Sequence, residues 1–396
     1  MIKSNVYSTA EKILNEFLRK KISKYSQYRN YDYGPTYPHK AVSGLSPYIS
    51  KGIIKEKYIL EKIKKNKNTS DKFIQEVLWR SYWKGWLEKH NKVWENYKSE
   101  VDNKLNNICK RNLYELYNKA LKGQTDLEPF DSWIKQLTET GYLHNHTRMW
   151  FASIWIHYLG LPWELGANLF YENLLDADIA SNTLSWRWVA GIQTLGKKYL
   201  ATKENIIKYS LGRHRNFILP KLKDVNPDYI RYDENEIKFN KQITFNKNKK
   251  NALFILENNL DFSFIKDNMN KNSVIIFLRI DVAGIKKNNI SKAFQNQCNS
   301  DLIDLCKNYK IIHKIFNIST SFEQLINYLL IENIYTTYSE YITIGYEKDI
   351  INKLILALKN NKIQYTDFLD EYYQDVWKYC DKGFFNFRKN FNEKYI

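Results

Sequence analysis

Three short stretches of the chain gather side chains that serve chemistry better than they serve packing. In FIQEVLWRSYWKGW, Glu76, Trp79, Arg80 and Trp83 recur at i, i+3, i+4 and i+7, so they share one helical face. A carboxylate, a guanidinium and two indoles make a poor core stripe. They make a good cavity wall, where indoles stack on a planar ligand, Arg80 meets a phosphate or ring, and Glu76 accepts hydrogen bonds from ring N–H groups. The plainer alternative is an Arg–Glu pair capped by surface tryptophans. In TGYLHNHTRMWFASIWIHYLGLPWELG, Asn145 and Met149 share one face, and His144 and Arg148 the adjacent one. His144 and His146 form an H-x-H pair without a nearby cysteine or acidic ligand, which reads as hydrogen-bonded helix surface and not as a metal site. In LLDADIASNTLSWRW, Asp176 and Asp178 are paired carboxylates of the sort that glycosidases and cation sites use. Here, however, Asn182 follows Asp178 by four, Trp186 follows Asn182 by four, and Trp188 completes a W-x-W. That mixture suits an aromatic cofactor.

The elements that must position these residues differ between the two halves of the chain. From Ser8 to about Tyr209 the apolar spacing is helical, as in Ile13, Phe17 and Ile22, then Phe73, Val77 and Leu78, then Trp133, Leu137, Trp150 and Ile154. Residues 1–215 are therefore expected to be an all-α domain. Residues 216–250 are polar, charge-mixed and aperiodic, and are expected to be a linker. Beyond them, short β-rich runs (Ala252 to Leu256, Val274 to Leu278, Ile311 to Phe316, Tyr341 to Ile344, Ile363 to Phe368) alternate with helical ones (Leu302 to Tyr309, Phe322 to Leu330, Lys348 to Leu358). Such alternation predicts parallel βαβ units, so 251–396 is expected to be a small Rossmann-like α/β domain. It lacks a G-x-G-x-x-G after its first strand, which gives a nicotinamide dinucleotide no support. Gly191 to Lys198 (GIQTLGKK) nearly spells a phosphate-binding P-loop, but Lys198 stands where a Ser/Thr hydroxyl must ligate magnesium.

Composition narrows the class further. A chain of 396 residues has room for two or three domains. Cys109, Cys298, Cys306 and Cys380 form no C-x-x-C or Cys/His cluster, which argues against zinc or iron–sulfur sites and for a reducing, cytoplasmic setting. Neither a signal peptide nor a membrane span is expected, since the longest apolar runs are too short to cross a bilayer. Residues 216–396 hold 26 Lys+Arg and 22 Asp+Glu, so of the whole chain's 61 and 43 the first 215 residues keep 35 and 21. They thus carry +14 of the net +18, and ten of the eleven tryptophans, Trp79 to Trp188. A basic, indole-rich half suits a polyanion that stacks on flat rings.

Together the three segments resemble the FAD-binding helical domain of the photolyase/cryptochrome family, whose patterns E-x-x-W-R, T-G-W-x-H-N-R-x-R-M and D-G-D-x-A-x-N-x-x-x-W-x-W they follow. Tyr25 and Arg29, then VSGLSPY (Val42 to Tyr48), are similar to that family's Y-x-x-x-R and T-S-x-L-S-P-Y elements. The resemblance spans about residues 20 to 205. It implies that Tyr25, Ser43, Leu45 and Ser46 hold the FAD phosphates and ribityl chain. Arg80, Asn145, Arg148, Asp176 and Asp178 would line the flavin, with Asn182 beside its N5. Glu76, Trp79, Met149 and Trp188 would contact a flipped cyclobutane pyrimidine dimer, and Trp186 and Trp163 would begin the electron-transfer chain. That chain's third tryptophan is replaced near Ala120, with Tyr114 and Tyr117 close by. Ala177 and His146 also depart from the pattern, at a Gly and an Arg position. The family's α/β antenna domain normally comes first; here the α/β unit comes last, and its closing GFFNFRKNF resembles the antenna domain's end, which suggests a reduced, permuted version. No antenna pigment is inferred.

The resemblance implies a light-driven, FAD-dependent DNA repair enzyme, a carbon–carbon lyase acting on cyclobutane dimers in UV-damaged DNA. In it, photoexcited reduced flavin lends an electron to the dimer, the ring splits and the electron returns. No metal is required. The alternatives are a cryptochrome-like blue-light photoreceptor and, more weakly, a flavin redox enzyme working in the dark.

Overall fold

A computed structural model describes residues 5–108, 113–240, 248–269, 272–391 and 395. The first half folds as helices: α1 (Val6–Lys20), α2 (Ile22–Tyr28), α3 (Ser46–Ser50), α4 (Glu56–Lys64), α5 (Asp71–Lys89), α6 (Asn91–Ile108), α7 (Tyr114–Lys122), α8 (Glu128–Thr140), α9 (Asn145–Ser153), α10 (Trp163–Asn173), α11 (Ile179–Ala190) and α12 (Lys203–Tyr209). Their starts follow capping chemistry. The Asn5 side chain accepts from Ser8 N, that of Ser70 from Phe73 N and that of Asp178 from Ser181 N, each satisfying an amide the helix leaves orphaned. After α9 the helix widens into a π turn over Ile154–Tyr158, closed by Leu159 N donating to Ile154 O at 2.9 Å.

Of residues 216–250, the described part forms neither helix nor strand. It runs along the helices, pinned by Lys223 N to His157 O (2.7 Å) and Asn235 N to Lys89 O (2.7 Å), with Phe217 buried.

The sheet unit then follows: β1 (Asn251–Leu256), α13 (Phe262–Asn268), β2 (Ser273–Arg279), α14 (Asn289–Asn308), β3 (His313–Asn317), α15 (Glu323–Ile331), β4 (Thr336–Glu340), α16 (Tyr346–Asn360) and β5 (Gln364–Phe368). Every pairing is parallel, and the order is β3-β2-β1-β4-β5. Alternate residues of β1 face opposite cores: Leu253 and Ile255 meet α13 and α14, while Ala252, Phe254 and Leu256 meet α15 and α16.

One strand lies elsewhere than its hydrophobicity suggests. The expected run Tyr341 to Ile344 is a connection, and β4 is the more polar TTYSE before it. Its hydroxyls are satisfied in place, Thr337 donating to Gln364 O (3.0 Å) and Ser339 bonding the Tyr365 hydroxyl (2.7 Å). The YITI run leaves the sheet for the helical half, where Glu88 accepts from the Tyr341 hydroxyl (2.7 Å) and Ile344 N (2.6 Å).

After β5 the chain returns to the helical half as α17 (Glu371–Val376), a single 3-10 turn (Trp377–Tyr379) and α18 (Phe384–Asn390), which forms from GFFNFRKNF. Tyr372, Tyr373, Trp377, Phe384, Phe387 and Phe391 share one core with α1, α2, α4 and α5. Gly85 of α5 makes room for this docking: a Cβ there would come within 2.5 Å of Trp377 Cδ1 and 2.7 Å of Cys380 Sγ. Cys298, Cys306 and Cys380 are free and buried; Cys109 lies outside the described residues. No helix among the described residues is long and apolar enough to cross a membrane.

Candidate functional site

Helices α2, α3, α5, α9 and α11, with the loops before α3, before α11 and after it, surround a cavity of about 1130 Å³. That is beyond the ~300–1,000 Å³ of ordinary small-molecule sites. Tyr25, Ser43, Ser46, Glu76, Trp79, Arg80, Asn145, Arg148, Met149, Asp176, Asp178, Asn182, Trp186 and Trp188 all line it. The three segments singled out by spacing thus form one wall system.

On one side the wall is a charge network. Arg148 Nη2 pairs with Asp176 Oδ2 at 3.0 Å, while its Nε donates to Leu143 O at 2.9 Å, which fixes the plane of the guanidinium. Arg80 Nη2 donates to Ser50 Oγ at 2.7 Å, and Ser50 in turn donates to Asp176 O at 2.9 Å. Burial works against the charge of Asp176, but Arg148 foremost, with Arg80, holds its carboxyl below the ordinary range. Behind Arg80 lies buried Glu56, bonded to Lys84 Nζ (2.9 Å) and the Tyr373 hydroxyl (2.6 Å). Burial opposes the charge of Glu56 too, and Lys84 and Arg80 outweigh it, bringing the carboxyl down to about 2. Asp178 spends one oxygen on capping α11, accepting from Ser181 N at 2.7 Å. Asn182 donates through Nδ2 to Ala167 O at 2.7 Å, which leaves its carbonyl oxygen as an acceptor for a ligand.

The other side is aromatic. Phe384 lies flat on Trp79, with centroids 3.6 Å apart and planes 9° apart, and Trp83 tilts against Trp79 at 4.9 Å. Trp188 stacks on Tyr199 at 5.6 Å. Glu76 is ion-paired with Arg29, yet burial outweighs that pair and raises its carboxyl above the ordinary range. His144 and His146 hold the Arg29 loop through its carbonyls: His144 Nε2 lies 3.0 Å from Arg29 O and His146 Nδ1 3.0 Å from Asn30 O. His146 N donates to His144 Nδ1, so His144 caps α9 and uses Nε2 as its donor. Among the described residues, no group of three or more His, Cys, Asp or Glu is placed to hold a metal.

Two expected residues lie outside the lining. The Leu45 side chain is buried in the helical core, and only its backbone N–H turns back, to Ser43 Oγ at 3.4 Å. Trp163 is buried against Tyr97 at 5.6 Å, while Trp186 at the wall meets Trp155 edge-on at 6.4 Å. Ala120 is fully buried. Four contributors were not foreseen: Ser50 and Glu56, which orient Arg80, and Phe384 and Phe385, which join the lining from the far end of the chain. The aromatic density of GFFNF was the one available signal for the last two.

The residues present fit FAD. Asp176 Oδ1 and Ser181 Oγ, both at the wall, are buried without a hydrogen-bond partner among the described residues, so the cavity offers an acceptor and a hydroxyl to a ligand with N–H and O–H groups, as FAD has.

Residues 73–255 match the model of the FAD binding domain of DNA photolyase. The deoxyribodipyrimidine photo-lyase of Buchnera aphidicola subsp. Acyrthosiphon pisum is 29% identical over 209 residues, covering 48% of this chain and 41% of that protein. The cryptochrome DASH of Idiomarina loihiensis is 31% identical over 154 residues, covering 37% and 33%. Among solved structures, the Synechocystis sp. PCC6803 cryptochrome is 21% identical over 53% of this chain and 44% of that one, with a TM-score of 0.43. The chain spans less than half the length of these relatives. Both kinds of name, photo-lyase and cryptochrome, occur among them, and the matched segment carries the helices that wall the cavity from α5 to α11; over residues 73–255 the chain is similar to the FAD-binding domain of the photolyase/cryptochrome family.

Proposed function

We propose that the protein repairs cyclobutane pyrimidine dimers in UV-damaged DNA under blue light. The observation that carries this reading is that Glu76, Trp79, Met149 and Trp188 line the same cavity as Arg148, Asp176 and Asn182, so a flavin-type wall and a lesion-type wall share one chamber. Bound reduced FAD would supply a photoexcited electron donor. The chain's own residues do the rest. Tyr25, Ser43 and Ser46 hold the phosphate and ribityl side, with the backbone N–H of Leu45. Arg80, Arg148, Asp176, Asp178 and Asn145 fix the ring, and the Asn182 carbonyl holds a proton at N5. Glu76, whose carboxyl burial raises, stands on the lesion side of the chamber and hydrogen-bonds the dimer there. Trp79 and Trp188 give the dimer flat surfaces. Trp186, and Trp163 beyond it, are the route by which electrons reach the flavin. The sheet unit is a reduced antenna-type unit placed after the helical domain, across the 216–250 linker, with no pigment assigned to it.

The test is dimer loss in a UV-damaged thymine oligonucleotide, using chemically reduced, FAD-loaded protein under blue light with a dark control. Light-dependent loss is expected, and Glu76→Ala should slow it by about a hundred- to a thousandfold, the range for one removed charge-stabilising contact. Photoreducible flavin with no dimer loss would overturn repair. One observation favours a photoreceptor instead: Phe384 already occupies a face of Trp79. A light-dependent change of partner binding, with no lesion affinity, would support that reading.

A further inference from the structure

The chain carries an exposed aromatic ring next to a buried one at the edge of the cavity. Among the described residues Phe385 is the most exposed aromatic, at 83%, although its neighbour Phe384 is 5% exposed and packed on Trp79. An unburied phenyl ring forgoes about 2 kcal/mol of folding free energy. Nor is it loosely held. Phe384, Phe387 and Phe391, at i, i+3 and i+7, are all in the core, so α18 is fixed along its inner face and Phe385 stands outward from a rigid base. The same outward side carries Arg388 and Lys389, and Lys382 is exposed in the turn just before. Asp381 is the acidic group described in this turn, and it accepts from Lys382 N at 2.8 Å. Asp381, Gly383, Phe384 and Phe385 all line the cavity, so the ring sits at its rim.

A second strip of the rim has a similar make-up. In GIQTLGKK, the loop after α11 that nearly spells a P-loop, Gln193, Thr194 and Lys197 line the cavity and Leu195 is 67% exposed. A Cβ on Gly196 would meet nothing within 4 Å, so this tip stands clear of the protein. A single apolar tip ringed by cations differs from the broad apolar patch of a protein interface. It matches what duplex DNA accepts: lysine and arginine for phosphates, and a flat apolar wedge between base steps about 3.4 Å apart.

We propose that Phe385 is a wedge that enters the base stack of damaged duplex DNA and fills the space left when the dimer turns into the cavity. The proposal rests on the repair reading. It assigns a role to residues beyond the matched segment 73–255, and so to this chain's own C-terminal helix.

The test compares FAD-loaded full-length protein with Phe385→Ala and Phe385→Trp. The probes are one thymine dimer in a duplex and the same dimer in the unpaired strand, with binding read in the dark by fluorescence anisotropy. An unpaired strand leaves no gap to fill. Phe385→Ala is therefore expected to weaken duplex binding about tenfold, an ordinary share of the cost of holding a flipped base, and single-strand binding less than about twofold. Phe385→Trp should keep duplex affinity. An unchanged melting temperature and flavin content would separate these effects from misfolding. Equal loss on both probes, or no loss on either, would overturn the wedge while leaving repair standing. Wild-type protein that binds neither probe would overturn both.

Discussion

Asp176 is the residue on which the charge network turns. Its Oδ2 takes Arg148, its backbone carbonyl takes Ser50, and Ser50 takes Arg80, so one residue aligns two guanidiniums. Asp176→Asn keeps the size and removes the charge that offsets both. A charge-assisted hydrogen bond is worth about 1.5–3 kcal/mol, so FAD dissociation constants should rise about ten- to a hundredfold in equilibrium dialysis. An unchanged constant would remove Asp176 from the flavin wall. Asp176, Arg148 and Arg80 were legible in the sequence because charges at helical spacing amid tryptophans are conspicuous. Glu56 and Ser50 were not, because nothing in their local spacing is unusual. They acquire a role only when α3 and α4 come to lie against α5. Leu45 fails in the opposite sense: its position within a phosphate-holding element says ligand, but its apolar side chain is better buried, and only its amide stays with the loop.

At the scale of elements, α10 and α11 approach so closely that only glycine fits between them. A Cβ on Gly166 would collide with the outer ring atoms of Trp186 and come within 3.0 Å of Trp155 Nε1. Gly166→Ala would ordinarily gain about 1 kcal/mol in a helix interior. Here overpacking costs about 1–3 kcal/mol and the path of relief is for Trp186 to move into the cavity. The variant should therefore lose stability in denaturant titration and retain less flavin. A more stable, fully loaded variant would contradict this packing. The helices were readable from apolar periodicity, and four of the five strands from β-rich runs. The fifth was not, because TTYSE is stabilised by hydroxyl partners on β5 that only the assembled sheet provides, whereas YITI looks like a strand and is used to join the two halves.

Across the whole molecule, burial turns histidines into an acid liability. His144 is brought down to about 4 by burial, with the charges around it partly cancelling, and His39, His90, His146 and His157 are lowered as well, burial leading in each. Below pH 6.5 the unfolded chain gains protons that the folded one refuses, so stability falls as pH drops from 6.5 towards 4. For His144 alone the shift from 6.5 to about 4 corresponds to about 3 kcal/mol. Glu56 adds to the loss as pH falls from 4.5 towards 2. Buried carboxyls raised by burial, among them Glu76, Glu88 and Glu164, act in the opposite sense, so the histidine contribution is read by difference: from pH 7 to pH 5 the denaturant midpoint of flavin-loaded His144→Asn, which keeps a capping acceptor, should fall less or rise more than that of the wild type. Parallel profiles for variant and wild type would refute it. The return of the chain to its first helices has a temporal consequence as well. A ribosome releases α5, α9 and α11 well before Tyr373 and Phe384, and at roughly 5–20 residues per second the interval from Gly191 to Phe384 lasts about 10–40 s. Throughout it the nascent cavity lacks the side that Phe384 supplies, so a cofactor can enter laterally during translation, before that helix closes the door behind it.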